Sequence, residues 1–342
     1  MFEKAPMKLS VIVCTHNRAH LMPDLLNDFR GLVPPEGHGV EVLFVDNASS
    51  DDTYQLLVNA AKSLPFPMSV IKESSLGISF ARNRGALEAC GDYVVFLDDD
   101  ARPDPKWLQA YARGFEEWQP DVAGGPIVPY GDRPLPRWLD EPSGLHGPYL
   151  AHFDRGPQTC WLEGSGTVWG GNMAFHRKTL LAVGGFDTAL GPRGHATRAA
   201  TEDAEVQLRI IGRGGRVLYV HDAQVRHLIS PERLRLGYFL RTRYERGISN
   251  NRVWGRIRWW RGLWQVGLEM VLFLACLLVG RLAVSAWHLG KAAWSFGRLV
   301  DTLFGKSYVP PPPPPRTAGL ETTLHAGDLD DSGRPQQVSA IQ

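Results

Sequence analysis

The sequence predicts an α/β fold built around a mostly parallel central sheet. Between residues 8 and 128, apolar runs of strand length alternate with segments of helical length, the pattern of parallel strands joined by helical crossovers. The strand runs are almost continuously apolar, as expected for strands covered by helices on both faces. The chain has 342 residues, of which 44% are hydrophobic and 21% charged, so it can bury a large core.

The first part of the chain supplies the alternating elements. A helix is expected from about Leu21, and another from Asp104-Pro105, where an N-cap residue precedes a proline at the first helical position. The other predicted elements are the strands KLSVIVC, VEVLFVD, MSVIKE and YVVFLDD and the helices DTYQLLVNAAKSL and SFARNRGALEAC.

The middle of the chain, residues 124–200, is rich in glycine and proline and predicts long loops, which inside a compact domain are usually functional. A helix follows in TEDAEVQLRIIGRG, with Thr201 as its N-cap. The strands RVLYV and AQVRH then lead to an arginine-rich helix that begins near Pro231. We expect one α/β domain over residues 1–250.

The segment from Arg226 to Arg261 carries ten arginines against two glutamates, a net charge of +8 that leaves −7 for the rest of the chain. Something anionic is therefore expected beside it. Nucleic acid is one such partner. Four tryptophans interleaved with the arginines, just before an apolar stretch, favour the surface of a membrane and argue against nucleic acid.

Residues 251–306 are predicted to be a helical membrane-associating region, and residues 307–342 a proline-rich disordered tail. The uninterrupted apolar run from Met270 to Gly280 has eleven residues, short of the ~20 that span a bilayer as a helix. Extending it to Gly290 places Arg281 near the middle. We expect in-plane or re-entrant attachment; a true span and packing against the α/β domain are the alternatives.

The four cysteines are widely scattered and include no CxxC pair, which argues against a disulfide framework or a zinc site and suits a reducing compartment. The N-terminal residues lack the charged and long apolar segments of a secretory signal. The sequence therefore predicts a location on the cytoplasmic side of the inner membrane, peripheral or monotopic rather than integral.

Three predicted strands end in polar clusters, at residues 15–18, 46–52 and 98–100. Ligands of open parallel sheets bind outside the carboxyl ends of the strands, so these clusters should converge on one edge. The run Asp98, Asp99 and Asp100 directly follows a buried strand. Three unpaired carboxylates cannot all be buried, so either a cation or water must accompany them.

A short loop of this kind can hold Mg²⁺ or Mn²⁺ while substrate phosphates fill the remaining positions of the ion. A solvated acidic turn is the alternative interpretation. Within the run, Asp99 points away from its neighbours if the strand continues, so it can equally serve as a supporting or helix-capping residue.

Six segments appear in order and at sensible spacing: VIVCTHNRA, FVDNASSDDT, GISFARNRGALEACGDYVVFLDDD, GGNMAFHR, GGFD and TEDAEVQLR. Together they resemble the family 2 glycosyltransferases, which have the GT-A fold and use nucleotide sugars. The resemblance covers about residues 8–230. It implies a transferase with a nucleotide-sugar donor and a divalent cation, Mn²⁺ or Mg²⁺, as cofactor.

For the donor, the resemblance implies that Asp98 contacts the ribose and that Asp98 and Asp100 hold the cation beside the pyrophosphate. His227 matches a histidine that completes this site in many relatives, although a lone histidine at a strand end is more often structural. The positions that match the nucleoside pocket are Thr15, Asn17, Arg18, Asp46, Arg82 and Asn83. Asp46 can instead form a turn, and Arg82 and Asn83 can lie on a solvated helix face.

For the acceptor, Asp203 matches the carboxylate that takes the proton from the attacking hydroxyl. The alternative is an acidic residue that only favours a helix N-terminus. The residues expected along the sugars are Trp169, Gly170, Gly171, Asn172 and Glu202. Glycines allow close approach of the backbone, while Trp169 is as compatible with the core as with a sugar face, and Glu202 should face away from Asp203.

These roles predict an inverting glycosyltransferase that moves a sugar, with a UDP-sugar as the commonest donor in the family, to a hydroxyl of a glycan or lipid-linked acceptor in surface polysaccharide or exopolysaccharide synthesis. One rival is a sugar nucleotidyltransferase, whose glycine-rich N-terminal loop is missing from VIVCTHNRAH. Another is a nucleotide-sugar or carbohydrate-binding protein without turnover, which would not need Asp203 as well as Asp98 and Asp100.

Overall fold

The computed structural model describes residues 6–61, 64–139, 146–147, 149–193 and 201–305. The predicted proline-rich tail lies outside these ranges. Within them the strands are β1 (Lys8–Thr15), β2 (Gly39–Asn47), β3 (Met68–Glu73), β4 (Tyr93–Asp98), β5 (Ala101–Pro103), β6 (Val122–Gly124), β7 (Ile127–Tyr130), β8 (Cys160–Leu162), β9 (Asn172–His176), β10 (Val217–Tyr219) and β11 (Val225–Leu228).

The helices are α1 (Met22–Arg30), α2 (Thr53–Ala60), α3 (Ile78–Glu88), α4 (Trp107–Trp118), α5 (Arg177–Ala182), α6 (Glu202–Ile211), α7 (Leu236–Trp254), α8 (Trp259–Leu278) and α9 (Leu282–Phe304). Short 3-10 turns precede α1 and α7. Thr201 is the N-cap of α6, as predicted, although its side chain makes no capping hydrogen bond.

The main sheet has the strand order β3-β2-β1-β4-β9-β6-β10-β8. The four strands β3, β2, β1 and β4 are all parallel, β6 is parallel to β10, and β9 and β8 run antiparallel to their neighbours. This arrangement confirms the predicted α/β fold with a mostly parallel sheet. Large buried side chains of α4 cover one face of it, among them Trp107, Tyr111 and Phe115.

The register of the parallel strands brings their polar ends together. Thr15 of β1 lies opposite Asp46 of β2, and Cys14 lies opposite Asp98 of β4. Adjacent strands in a sheet are about 5 Å apart, so these three strand ends form one continuous edge. The predicted convergence of the polar clusters is therefore present in the structure.

A second, three-stranded sheet with the order β5-β11-β7 lies beyond this edge. Its strand β5 occupies residues that the sequence predicts as the loop before a helix at Asp104-Pro105. The helix α4 in fact begins at Trp107, and Asp104 accepts a hydrogen bond from the backbone N–H of Lys106. Because β11 pairs antiparallel with β5 and places His227 opposite Ala101, this sheet carries the histidine to the aspartate run.

The helices α7, α8 and α9 form a layer in which α9 packs against both of the others. Gly247 of α7 and Gly297 of α9 lie where the two backbones approach each other so closely that a Cβ at either position would collide with the opposite main chain. Helix α7 runs to Trp254, across the domain boundary expected after residue 250. The helical layer therefore begins inside the segment predicted to belong to the α/β domain.

Helix α8 has 20 residues with a mean hydropathy of 1.5, and 11% of it is buried within the structure. By length and composition it qualifies as a candidate membrane span. The segment weighed from the sequence began at Met270 and reached the length of a span only by extension past Arg281 to Gly290. The helix begins eleven residues earlier, at Trp259, because isolated polar residues such as Gln265 and Glu269 do not end it.

Candidate active site at the carboxyl edge of the sheet

Asp98, Asp100 and His227 form a cluster in which one potential ligand atom of each residue lies within 4.8 Å of the others. Asp98 ends β4, Asp100 lies in the turn before β5, and His227 belongs to β11. The Nε2 atom of His227 is 3.2 Å from a carboxylate oxygen of Asp100. The main sheet thus supplies Asp98, the three-stranded sheet supplies His227, and Asp100 lies in the turn that connects the two sheets.

Asp99 is separated from this cluster by its hydrogen bond to β1. The hydroxyl of Thr15 donates to the Asp99 carboxylate at 2.8 Å, and the guanidinium of Arg18 lies 3.9 Å from the same oxygen. Burial, together with the charge of Asp100, raises the pKa of Asp99 to about 7. Of the three consecutive aspartates, the outer two face the histidine and the middle one braces the loop at the end of β1.

The electrostatic environment of Asp100 is the opposite of that of Asp99. Burial by itself would raise the pKa of the Asp100 carboxyl. The electrostatic interactions with His227, Arg233 and Arg18 outweigh burial and hold that pKa below its ordinary value. The surroundings of Asp100 therefore favour its ionised form, whereas those of Asp99 disfavour it.

The donor atoms of this cluster fit a divalent cation. Two carboxylates and one imidazole match the ligand preferences of ions such as Mn²⁺, and carboxylates alone match those of Mg²⁺. The Nε2 atom of His227 is the ring nitrogen that faces Asp100 and could bind the ion, while the buried Nδ1 atom has no hydrogen-bond partner. Asp98 and Asp100 are only partly covered and so remain accessible to an ion.

Asp46, Asn17 and Arg18, which were predicted to line the nucleoside pocket, lie at the end of β2 and in the loop after β1. Asp46 is 3% exposed, and its Oδ1 atom has no hydrogen-bond partner. Asn17 adopts a left-handed backbone conformation with φ of 53° and accepts a hydrogen bond from the N–H of Ser50 at 2.7 Å. Asn17 thus holds the loops after β1 and β2 together, whereas Asp46 presents an unsatisfied acceptor at the end of β2.

Arg82 of α3 is buried beneath the site and is completely engaged. Its guanidinium donates to Glu202 at 2.8 Å and contacts Asp98 and the carbonyl of Gly170, each at 3.4 Å. Burial would lower the pKa of Arg82, but the carboxylates of Glu202 and Asp98 outweigh it and raise that pKa. Arg82 therefore fixes the positions of Asp98 and of α6 rather than reaching a nucleotide.

Three residues that were predicted to contact a ligand make hydrogen bonds or ion pairs with other parts of the protein. Glu202 is 3% exposed and pairs with Arg82, so it is not free to bind a sugar. The amide of Asn83 both donates to and accepts from the backbone of Phe186. Asn172 is fully buried and fixes the core through Trp107, Tyr111, Pro126 and Ala223. Each was predicted to contact the ligand, and the contacts that the structure shows for each of them are to the protein itself.

Asp203 lies on the other side of the same strand ends. Its Oδ2 atom accepts a hydrogen bond from the N–H of Gly170 at 2.9 Å. A Cβ at Gly170 would lie 3.1 Å from that oxygen, and a Cβ at Gly171 would lie 3.1 Å from Oδ2 of Asp98. The glycine pair therefore separates Asp203 from the metal-type cluster by two residues of bare backbone. Trp169, next in the chain, packs its ring 5.1 Å from that of Phe153.

Arg233 and Arg246 also lie near the carboxylates of the candidate site, and neither belongs to one of the six sequence segments that resemble the family. The charge of Arg233 acts on Asp100, and the charges of Asp203 and Glu202 act on Arg246. The only sequence signal for them is the +8 segment, which marks ten arginines without distinguishing these two. Their proximity to the carboxylates depends on how the chain after β11 folds relative to the strand ends, which no local pattern encodes.

Comparison with known proteins places this geometry in context. A family model described as "Glycosyl transferase family 2" matches residues 10–184, about half of the chain. The glucosyl-dolichyl phosphate glucuronosyltransferase of Haloferax volcanii is 26% identical over 245 residues, which cover 71% of this chain and 76% of that protein. The succinoglycan biosynthesis protein ExoM of Rhizobium meliloti is 22% identical over 249 residues, 72% of this chain and 75% of that protein.

Among solved structures, the mannosyltransferase PcManGT from Pyrobaculum calidifontis, in complex with GDP-Man and Mn²⁺, is similar with a TM-score of 0.60. The sequence identity is 19%, and the match covers 88% of each chain. At this identity the likeness shows a shared fold, and it confirms the predicted GT-A fold.

Proposed function

The chain belongs to glycosyl transferase family 2, and from this membership we propose that it is a metal-dependent inverting glycosyltransferase. It moves a sugar from a nucleoside diphosphate donor to a hydroxyl of a glycan or lipid-linked acceptor. The donor is proposed to be a UDP-sugar, and the pathway to be surface polysaccharide or exopolysaccharide synthesis.

One observation carries this proposal. Gly170 and Gly171 separate Asp203 from the cluster of Asp98, Asp100 and His227, and a side chain at either glycine would crowd a carboxylate oxygen. The carboxylate of Asp203 and the metal-type cluster therefore both lie against the same two residues of backbone, which places a potential base next to a potential leaving-group site. Transfer with inversion needs this arrangement, since the acceptor approaches the anomeric carbon from the face opposite the leaving group.

In this proposal, each carboxylate has a separate task. Asp203 takes the proton of the attacking hydroxyl, and the N–H of Gly170 keeps its Oδ2 atom oriented. Asp98, Asp100 and His227 would hold the divalent cation, which when bound stabilises negative charge on the departing diphosphate. Arg18 and Arg233 add positive charge next to Asp100 and favour binding of the same anionic group. Asp46 offers its free oxygen to the nucleoside.

The proposed acceptor rests on the relatives and on helix α8. The Haloferax relative is named as acting on glucosyl-dolichyl phosphate, and the Rhizobium relative as a succinoglycan biosynthesis protein. Helix α8 exposes a stripe of apolar side chains that includes Trp264, Val271, Leu274 and Leu278. We propose that this stripe contacts the bilayer on its cytoplasmic side, where a lipid-linked acceptor is available.

Two other functions use part of the same site. A nucleotide-sugar-binding protein without turnover needs the donor site but has no use for a carboxylate at Asp203. A sugar nucleotidyltransferase would form a diphosphate bond and require a nucleoside triphosphate. Membership in a transferase family favours the glycosyltransferase over both.

The experiment is a donor screen with the full chain in detergent. UDP-, GDP- and dTDP-sugars are each incubated with Mn²⁺, Mg²⁺ or a chelator, and release of the nucleoside diphosphate is measured with and without extracts of lipid-linked glycans. We expect one nucleotide to be turned over only when a divalent cation is present. The variant Asp203→Asn should keep the affinity for the donor and lose about 10²- to 10⁴-fold in transfer rate.

The matched control is Asp222→Asn, an exposed aspartate that pairs with Arg113 away from the site. It should retain the parental transfer rate. Turnover of no nucleotide sugar under any condition would contradict the proposal, and a parental rate for Asp203→Asn would remove that residue from the mechanism.

A further inference from the structure

Helix α7 carries two arginines that form no direct ion pair within the part of the chain that the structure describes. Arg243 and Arg246 make no ion pair with any carboxylate there, and the Nε atom of Arg243 is buried without a hydrogen-bond acceptor. Burial lowers the pKa of Arg243 to about 10, and the nearby charge of Arg246 lowers it further. Two neighbouring, half-buried like charges favour an anion beside them, and Arg243 has no carboxylate of the described residues in that place.

The surroundings of the pair are those of a small binding site. The indole ring of Trp287 on α9 covers Arg243 at 5.1 Å, so that side chain cannot turn freely into water. Thr242 has a buried hydroxyl with no hydrogen-bond partner. Because Thr242 and Arg246 are four residues apart on one helix, they lie on the same face. The hydroxyl of Thr242 and the Nε atom of Arg243 therefore both lack a hydrogen-bond partner, and both lie close to Arg246 on the same helix.

This group lies beside the proposed acceptor side of the active site. The pKa of Arg246 is lowered chiefly by burial, and the charge of Asp203 is the largest influence that opposes it. The hydroxyl of Tyr149, whose charge also acts on Arg246, donates to the main-chain oxygen of Arg233 at 2.6 Å. An anion bound by Arg243 and Arg246 would thus sit between the helical layer and the carboxylate proposed as the base.

We propose that Arg243 and Arg246, together with the hydroxyl of Thr242, bind the phosphate group that links the acceptor to its lipid. The inference rests on the proposed transfer to a lipid-linked acceptor and names the residues that would recognise it. The phosphate of such an acceptor is one sugar ring away from the hydroxyl that attacks. Holding it beside Asp203 would bring that hydroxyl to the base.

The donor diphosphate does not account for the pair. That group belongs at Asp98, Asp100 and His227, where Arg18 and Arg233 already supply positive charge. A purely structural role does not account for it either. The structural arginine of this site, Arg82, has two carboxylates and a carbonyl as partners, whereas among the described residues the contact shown for the Arg243 guanidinium is the face of an indole.

The location also suits a ligand with an apolar chain. Arg243 lies where α7 packs against α9, and α9 in turn packs against the exposed apolar helix α8. A phosphate at this position can be joined to a hydrocarbon chain that follows the helical layer toward the bilayer. A free phosphate or a soluble glycan phosphate would not make use of that path.

The test is binding of farnesyl phosphate to the full chain in detergent, measured by calorimetry with UDP and Mn²⁺ present to fill the donor site. Farnesol and inorganic phosphate serve as the two halves of the probe. We expect farnesyl phosphate to bind at least tenfold more tightly than either half. The variants Arg243→Gln and Arg246→Gln should each lose at least tenfold in that affinity.

Arg241→Gln is the matched control, because Arg241 is an exposed arginine of the same helix that pairs with Glu245. It should bind farnesyl phosphate like the parent protein. Arg243→Lys keeps the charge and should recover part of the affinity lost in Arg243→Gln. Thermal unfolding of all four variants identifies any that fail to fold.

Equal binding by all variants would overturn the proposal, as would binding of farnesyl phosphate no tighter than that of farnesol. Competition by phosphatidylglycerol with the same affinity would also overturn it, since the pair would then recognise bilayer headgroups. The experiment needs no sugar transfer. Failure of the proposed function would appear in the donor screen alone, and failure of this inference would appear in the binding assay alone.

Discussion

Arg82 and Arg243 are both covered arginines beside the same cleft, and they differ in what surrounds them. Arg82, beneath the donor edge, bonds to Glu202, Asp98 and the carbonyl of Gly170, and its pKa is raised in spite of burial. Arg243, in the helical layer, has an indole face and an unsatisfied Nε atom, and its pKa is lowered to about 10.

This difference in surroundings distinguishes an arginine that stabilises the fold, Arg82, from one that we propose binds a ligand, Arg243. A buried charge that is completely paired holds the protein together, and removing one partner leaves the other uncompensated. A buried charge without a partner costs stability in the free protein and is retained where a ligand supplies the counter-charge. Arg82 therefore has its counter-charges within the protein, whereas for Arg243 we propose that a ligand supplies one.

The same distinction holds for two neighbours in β2. The amide of Asn47 donates to the carbonyls of Glu73 and Ser75 and accepts from the N–H of Gly77, so it ties the ends of several segments together. Asp46, directly before it, is equally buried but has an oxygen with no partner. One residue of the pair is satisfied by the fold, and the other is available to a ligand.

The largest effect should come from opening the paired cluster. Arg82→Met leaves Glu202 buried without its counter-charge, so the free energy of unfolding should fall by about 3–5 kcal/mol. Arg84→Met, on the same helix, breaks only an exposed pair with Glu88 and should cost at most about 1 kcal/mol. Urea unfolding of the full chain measures both values.

Arg243→Met sharpens this comparison, because removal of an unpaired buried charge should leave the free energy of unfolding unchanged or raise it. A loss as large as that of Arg82→Met would show that Arg243 is paired in the folded protein. The distinction between scaffold and ligand arginines would then not hold.

A smaller effect is expected at the end of β2. Asp46→Asn removes a charged acceptor that the fold does not use, so UDP affinity should fall by about 1.5–3 kcal/mol while stability is maintained. Asn47→Ala should show the reverse, because it breaks three hydrogen bonds of the fold and removes no unsatisfied atom. Calorimetry with UDP and thermal unfolding of both variants would test the reversal, and a stability loss in Asp46→Asn would contradict it.

The smallest effect concerns the outer face of the helical layer. Val271→Lys or Leu274→Lys should each weaken binding to vesicles that contain phosphatidylglycerol by about 1 kcal/mol, since each removes an exposed apolar side chain from the proposed contact. Leu87→Lys is the control, because Leu87 is 63% exposed on α3, outside the helical layer. Flotation of the full chain measures the effect, and equal losses in all three variants would place the contact elsewhere.

Substitutions suit this test better than truncation after Asn250. Such a truncation would cut α7 before its end and remove α9, which packs along α7. The α7 residues that contact α9, with Gly247 among them, would then be exposed, and any change in membrane binding would be difficult to interpret.

Much of the donor edge could be predicted because its residues are encoded by local patterns. Apolar strands followed by polar clusters predict both the parallel sheet and the edge at which Thr15, Asp46 and Asp98 meet, since parallel strands align their carboxyl ends. His227 was predicted only by its resemblance to a family position, because it reaches the aspartates through a second sheet.

The position of a polar residue in a sequence motif did not predict whether its side chain would be hydrogen-bonded within the protein. Asn83, Asn172 and Glu202 occupy family motifs, yet their hydrogen bonds are taken by the backbone of Phe186, by the core and by Arg82. A polar side chain is available to a ligand only when no neighbour satisfies it, and its neighbours come from distant parts of the chain.

The sequence by itself determined the alternation of strands and helices, the acidic and basic residue types at the strand ends, and the excess of positive charge after residue 226. These follow from periodicity and composition, which are local properties of the chain. Only the tertiary structure decided that Asp99 turns to Thr15 while Asp98 and Asp100 face His227. It also decided which arginines of the basic segment lack a partner, because pairing depends on what α7 packs against, and α7 packs against α9, a helix distant from it in sequence.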